Sequence, residues 1–519
     1  MPPFPFWVCL AVGWLLTGAQ PVRSELGMSR KIIGMYVHQH WPYNHPYAAR
    51  TWTPEDWRGY ADGLKKLGYN TVMIWPVLET MPDPLTPSDR ANIEKIARVI
   101  DMLHDEFGMR VWLALCPNVG ARNDEASKYP FEKRHFFYCD TRINPGDPEA
   151  MRRIIAWRET LLRPLAKTDG VSIIDSDPGG YAGSTNAEFV NLLAEHRRMF
   201  DRLRPGIELV YWMHVGWQGY CDYYKTGTFR WATERENLDV LARLKQLNPE
   251  PWGIANGLPY AQKLGLASKV ISFSYGRIEG EPSFPLTQFG GEAAYKGGQE
   301  ATNRGVMGNA QTHCVQLPNT FAFARGATGR PLTHADYVRF ADDLIPGQGP
   351  LIVAAWQALA GTDTAAMREA AAKLEALPDA SLTPGTLKGL LFGSPRRFVT
   401  DLVMQLRLKA TYERFRTAAE RGEPNLKAFL AGFVEAVEVW QRQHGYENTW
   451  SWAGMEAALR KLNSPAINAV LDGQYGIGTA PPSDWSGTPY EFVQSLLRSA
   501  ESFTPRLIAA MKAASRSDP

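Results

Sequence analysis

Between Lys31 and about Asn319 the chain repeats one phrase, a short apolar segment followed by a longer amphipathic one. The apolar segments fall at 32–37, 71–77, 110–115, 170–175, 207–213, 252–257, 269–275 and 306–311. They are apolar throughout rather than alternating, as strands buried on both faces are. The intervening stretches, such as PEDWRGYADGLKKLG and NIEKIARVIDMLHDEFG, carry helical periodicity and stop near Gly or Pro. Eight such units predict a (β/α)8 TIM barrel over about 28–328, with the helices of 258–305 the least defined. A doubly wound sheet is the rival, but no GxGxxG follows the first strand and no Walker motif occurs, so no cofactor is expected.

The pattern changes after about Arg330. Residues 329–519 read as an all-helical C-terminal domain, with Leu426, Phe429, Leu430, Phe433, Val434, Val437 and Trp440 forming one apolar stripe. At the other end, Phe4 to Gly18 is an apolar run of signal-peptide length, so residues 1–24 are expected to be a signal peptide and the protein secreted or periplasmic. A retained anchor is the rival; no later segment is long and apolar enough for stable membrane insertion. Export would remove Cys9 and permit oxidation of Cys116, Cys139, Cys221 and Cys314, leaving disulfide pairing and buried free thiols both open. Lys+Arg 56 against Asp+Glu 54 gives no basic excess, which excludes the usual nucleic-acid partner.

In a barrel of this kind the chemistry sits at the C-terminal ends of the strands. Those ends carry His38, His40 and Trp41; Trp75 and Glu79; Asn118; Asp175 and Asp177; Trp212, His214 and Trp217; Asn256; Tyr275; and Asn309, Gln311 and His313. Asp175 and Asp177 are two residues apart, so on a strand they share a face with Val171 and Ile173. Two such carboxylates repel, which raises one pKa and sets an acid beside a base. Pro178-Gly179-Gly180 then turns the chain. Among 17 Trp, 20 Tyr and 22 Phe, several fall at these same ends, where rings can stack on the CH faces of sugars. Paired carboxylates ringed by aromatic and amide side chains suit glycosidic cleavage, which needs an acid for the leaving oxygen and a second carboxylate.

Two passages bear a family likeness. Asp169-Gly170-Val171 leading to Asp175-Ser176-Asp177 resembles the fourth-strand motif of the chitinase family, and Ile143-Asn144-Pro145-Gly146-Asp147-Pro148-Glu149 resembles a phrase of family 20 β-hexosaminidases. The chain thus resembles the retaining, hexosaminidase-like (β/α)8 glycoside hydrolases at superfamily level. That resemblance implies Asp177 as acid/base and Asp175 as the supporting carboxylate, with an N-acetylhexosaminide as candidate substrate. Asp175 as direct nucleophile, or Asp177 paired with Glu79, Glu279 or Glu281, are the other schemes. His38, His40, Trp41, Trp75, Glu79, Asn118, Trp212, His214, Trp217, Asn256, Tyr275, Asn309, Gln311 and His313 are then expected to bind the sugar, and no metal is expected. Two readings compete: a non-catalytic glycan-binding barrel, and an amidohydrolase-like metal-dependent hydrolase using His38 and His40.

Overall fold

The computed structural model describes residues 31–176, 178–280, 286–290, 292–445, 454–473 and 480–516. Eight parallel strands close into a barrel: β1 (Ile32–His38), β2 (Thr71–Trp75), β3 (Arg110–Leu115), β4 (Gly170–Ile174), β5 (Glu208–Trp212), β6 (Trp252–Ala255), β7 (Val270–Ser274) and β8 (Gly305–Ala310). Each pairs with its neighbours in sequence, and β8 closes on β1 with Ile32 opposite Gly305. Every strand expected from the sequence is present.

Helices follow the strands: α1 (Pro54–Leu67), α2 (Pro87–Asp105), α3 (Pro148–Leu162), α4 (Asn186–Leu203), α5 (Glu234–Leu247), α6 (Leu258–Lys263), α7 (Glu292–Gln299) and α8 (Leu317–Ala327). Their starts are chemically marked. At α1, α2, α4 and α5 a Thr cap is reciprocated by Asp or Glu three residues on: Thr53 with Asp56, Thr86 with Asp89, Thr185 with Glu188, Thr233 with Glu236. Each box satisfies backbone donors that the first helical turn leaves free. α6 and α7 are the short ones, in the stretch where the sequence pattern is weakest.

From His334 onward the described residues form helices and connecting turns. The longest are α9 (Pro395–Arg421) and α10 (Leu426–His444), and α11 (Pro489–Glu501) and α12 (Phe503–Arg516) end the chain. Buried apolar side chains of barrel and helices belong to one continuous core. A second, smaller core joins Tyr220, Tyr223 and Tyr224, on the helix Trp217–Thr226 after β5, to Phe492, Val493 and Leu496 of α11.

The helical region also grips the loop that leaves β1. The Asn44 amide donates to His444 O at 2.9 Å, and Asn44 Nδ2 to Arg442 O at 3.1 Å. Tyr47 Oη donates to Asp401 Oδ2 at 2.6 Å, and the rings of Tyr43 and Tyr47 pack on His444 at 4.7 and 4.5 Å. Cys116, Cys139, Cys221 and Cys314 are all buried, and Cys221 and Cys314 are free thiols. No helix among the described residues is long and apolar enough to cross a membrane. Residues 1–24 lie outside the described residues.

Candidate active site

Parallel strands in register end at one height, and a cavity of about 60 Å³ opens there. A buried water needs at least roughly 10–15 Å³, so the space holds several waters or a small polar ligand. Its floor is aromatic. Trp212 stacks on Phe273 with centroids 4.2 Å apart, and Tyr36 meets both edge-on at 5.4 and 5.7 Å. His38 stands perpendicular to Trp75 at 4.7 Å on one wall. Ile174, His214, Asn256, Tyr275 and Gln311 continue the lining, with Ala114 to Cys116 from the end of β3, so all eight strands contribute.

Two buried nitrogens of this lining, His38 Nδ1 and Trp212 Nε1, have no hydrogen-bond partner among the described residues. Leaving a buried polar group unsatisfied costs about 1–3 kcal/mol, so such atoms mark places where a ligand can repay the cost. Burial, and behind it the charges of His313 and Arg50, lower the His38 pKa to about 3. The imidazole is therefore neutral at ordinary pH and offers one donor and one acceptor.

Three carboxylates lie just behind the wall, in one recurring arrangement: the carboxylate after one strand holds the exit of the next. Glu79, after β2, accepts from the Cys116 amide past β3 at 2.5 Å and from Trp75 Nε1 at 3.1 Å. Asp175, after β4, accepts from the amides of His214 and Gly216 past β5 at 3.2 Å, from Tyr211 Oη at 2.9 Å and from Ser176 Oγ at 2.6 Å. Glu279, after β7, accepts from the amides of Gln311 and Thr312 past β8 at 2.7 Å, and from Thr312 Oγ1 at 2.6 Å. Asn256 does the same with an amide oxygen, accepting from the Phe273 amide of β7 at 2.9 Å. Burial raises the pKa of all three acids against the pull of these donors. Arg158 braces the same rim from outside, donating to Cys116 O at 2.6 Å and Val119 O at 3.0 Å.

The expected residues divide accordingly. His38, Trp75, Trp212, His214, Asn256, Tyr275 and Gln311 line the cavity. Asp175 does not. Ile174 faces the cavity, whereas Asp175 bonds Tyr211, whose ring packs on Phe189 of α4. The shared face of Val171, Ile173 and Asp175 is thus the one turned to the helices, and both Asp175 oxygens already accept hydrogen bonds there. Asp177 and Glu281 lie outside the described residues.

Several others are tied elsewhere. Trp217 is buried, stacked on Phe189 at 4.8 Å in the helix layer. His40 stacks on Phe136 at 5.1 Å, and Trp41 Nε1 donates to Gln311 Oε1, so Trp41 orients a wall residue rather than lining the wall. Asn118 donates to Ile143 O and Gly180 O, both at 2.8 Å. Asn309 donates to Glu279 O at 3.0 Å, and His313 Nδ1 meets Tyr60 Oη at 2.6 Å. Glu79 is spent on the β3 exit as described. Tyr36 and Phe273, two of the three floor rings, are lining residues that sequence reasoning missed; both precede the ends of their strands. Among the described residues no three His, Cys, Asp or Glu side chains converge as a metal ion requires, and the His38 and His40 rings pack on each other with centroids 5.5 Å apart.

No protein-family model and no curated protein matches the chain. Solved structures do resemble it at low identity. A GH138 enzyme targeting pectin rhamnogalacturonan II aligns at 9% identity over 86% of this chain and 69% of its own, with a TM-score of 0.47. An O-GlcNAc hydrolase from Thermobaculum terrenum aligns at 8% identity over 92% and 94%, with a TM-score of 0.43. An Old Yellow Enzyme from Pichia aligns at 10% identity over 58% and 84%, with a TM-score of 0.34. Likenesses this remote show the fold alone, so function has to be argued from the site.

Proposed function

We propose that this chain is a glycan-cleaving hydrolase whose barrel mouth holds one sugar ring. The observation that carries the reading is the cavity itself: an aromatic floor of Tyr36, Trp212 and Phe273, with two buried nitrogens that have no partner among the described residues, His38 Nδ1 and Trp212 Nε1, placed for hydroxyls. Apolar faces with a few converging polar groups are what a sugar ring presents a need for.

In this reading Asp177 supplies the proton to the leaving oxygen, by its place in the motif Asp175-Ser176-Asp177. Asp175 is a positioning residue: it fixes the turns on which His214 and Ser176 sit. Retention through a substrate 2-acetamido group, and hence an N-acetylhexosaminide, is the finer form of the proposal and rests on the motif resemblance. Export is proposed from the apolar run Phe4–Gly18 alone.

One observation favours a second reading, a barrel that binds glycans without cleaving them: among the described residues, none of the cavity lining is Asp or Glu. Aryl glycosides and native glycans tested on wild type and Asp177→Asn separate the two. The hydrolase reading expects cleavage by wild type, with binding kept and turnover reduced at least about 100-fold in Asp177→Asn, as for loss of a general acid. Full turnover in that variant removes the assignment of Asp177. Binding without cleavage by wild type selects the second reading.

A further inference from the structure

We propose that Trp231 is an outer stacking platform for the sugar unit next to the one in the cavity, so that the ligand is an oligosaccharide rather than a lone monosaccharide. This rests on the glycan reading of the cavity.

Trp231 is 61% exposed, yet it is not a stray surface ring. Its indole meets the His214 ring edge-on at 6.1 Å, and His214 lines the cavity. Phe229 backs it at 5.9 Å. Tyr275, also a lining residue and 46% exposed, extends the aromatic surface at the end of β7.

The segment carrying Trp231 is built to be rigid. Arg230 forks between Asp222 and Glu236 with bonds of 2.5–2.8 Å to each, tying the helix Trp217–Thr226 to the first turn of α5. On the other side of Trp231, the Ala232 amide donates to Val215 O at 2.9 Å. The close approach depends on two glycines. A Cβ at Gly216 would stand 2.3 Å from Ala232 Cβ, and one at Gly219 would stand 2.5 Å from Arg230 O.

Single exposed apolar residues are ordinary and need no explanation. An indole whose backbone is pinned on both sides, by the Arg230 fork and the Ala232 amide, and whose ring rests against His214 and Phe229 beside a cavity wall, is a different object, because part of its ordering entropy is spent before a ligand arrives. The apolar face of a pyranose needs such a plane. With one ring in the cavity, a second ring emerging past His214 meets Trp231.

The test uses the full chain and titration calorimetry. The probes are N-acetylglucosamine, glucose, galactose and mannose, with the α- and β-linked disaccharides of each. Wild type is expected to hold its preferred disaccharide about three- to tenfold more tightly than the monosaccharide, the size of one aromatic stack. Trp231→Ala should erase that advantage, leave monosaccharide affinity and the melting temperature unchanged, and Trp231→Tyr should restore part of it. If sugars bind but the disaccharide advantage is absent, or survives in Trp231→Ala, the platform is wrong and the cavity reading stands. If wild type binds no monosaccharide and no disaccharide, the cavity reading itself has failed, and the platform with it.

Discussion

The backbone amide of His214 donates to both carboxylate oxygens of Asp175, each at 3.2 Å, while the imidazole Nδ1 lies 3.4 Å from Ser176 Oγ. Asp175 therefore holds the main chain of a wall residue and leaves its ring to the cavity. Asp175→Asn replaces one acceptor oxygen with a donor facing N–H groups. It should lower stability by about 1–3 kcal/mol, as for a broken buried hydrogen bond, and weaken sugar binding through a displaced His214. Thermal unfolding and titration on the same variant check both; unchanged values in both would deny Asp175 a positioning role.

Trp212 offers a sharper separation of stability from binding. Its Nε1 is buried and has no hydrogen-bond partner among the described residues. Trp212→Phe keeps an aromatic floor and removes the orphan donor, so stability should hold or rise slightly, while sugar affinity falls by about two- to tenfold, the worth of one neutral hydrogen bond. A fall in melting temperature with unchanged affinity would reverse that assignment.

Acid should unfold the protein through its histidines. Burial lowers the pKa of His38, His196 and His313 to about 3, and holds His40 and His444 well below the usual value. A depressed folded-state pKa means the native state binds fewer protons than the unfolded chain. These groups' contribution is complete above about pH 6.5 and is lost as pH falls toward 3, at up to about 1.4 kcal/mol per pH unit for each histidine. Melting temperature measured from pH 8 to 4 should fall steeply below about 6.5, and His313→Phe should flatten the slope by one proton.

The buried carboxylates work in the opposite direction. Burial is the largest influence on Glu79 and raises its pKa above 4.5, despite Arg158 and the Cys116 amide. Its neutral form favours folding below the unfolded value, and that advantage is lost as pH rises through the folded one. Glu79→Gln stays neutral throughout. Whatever its offset at pH 4, its stability relative to wild type should improve as pH rises, until Glu79 is fully ionised. A constant difference across that range would mean that Glu79 keeps an ordinary pKa.

The barrel was legible because its evidence is local: each strand is a short apolar run, and the five longest barrel helices start at a Thr or Asp cap. The site was half legible. Sequence position names the strand ends, but both faces of a barrel strand are apolar, so alternation could group Asp175 with Val171 and Ile173 without saying that this face meets α4. Trp217 and Asn118 lie beyond their strands, in the helix and the bend that follow, where strand alternation gives no direction. Tyr36 and Phe273 were hidden inside their strands, where an aromatic residue reads as core. Trp231 lies in a loop, and the fork of Arg230 between Asp222 and Glu236 that makes it notable is visible only in three dimensions.

The grip of α10 on the loop after β1 has a consequence for how the molecule is made. Asn44 binds a carbonyl that lies 398 residues downstream. A chain emerging from the ribosome can pair β1 with β8 well before it can seat the Asn44–Tyr47 turn, because the helix that seats it is synthesised later. The loop bearing Trp41 and its bond to Gln311 thus waits on nearly the whole polypeptide. Such long-range closure slows folding and leaves aromatic surface uncovered in the interval. A chain lacking α10 would lose the carbonyls that hold Asn44 and the His444 ring that packs on Tyr43 and Tyr47, so the loop after β1 would be left unseated.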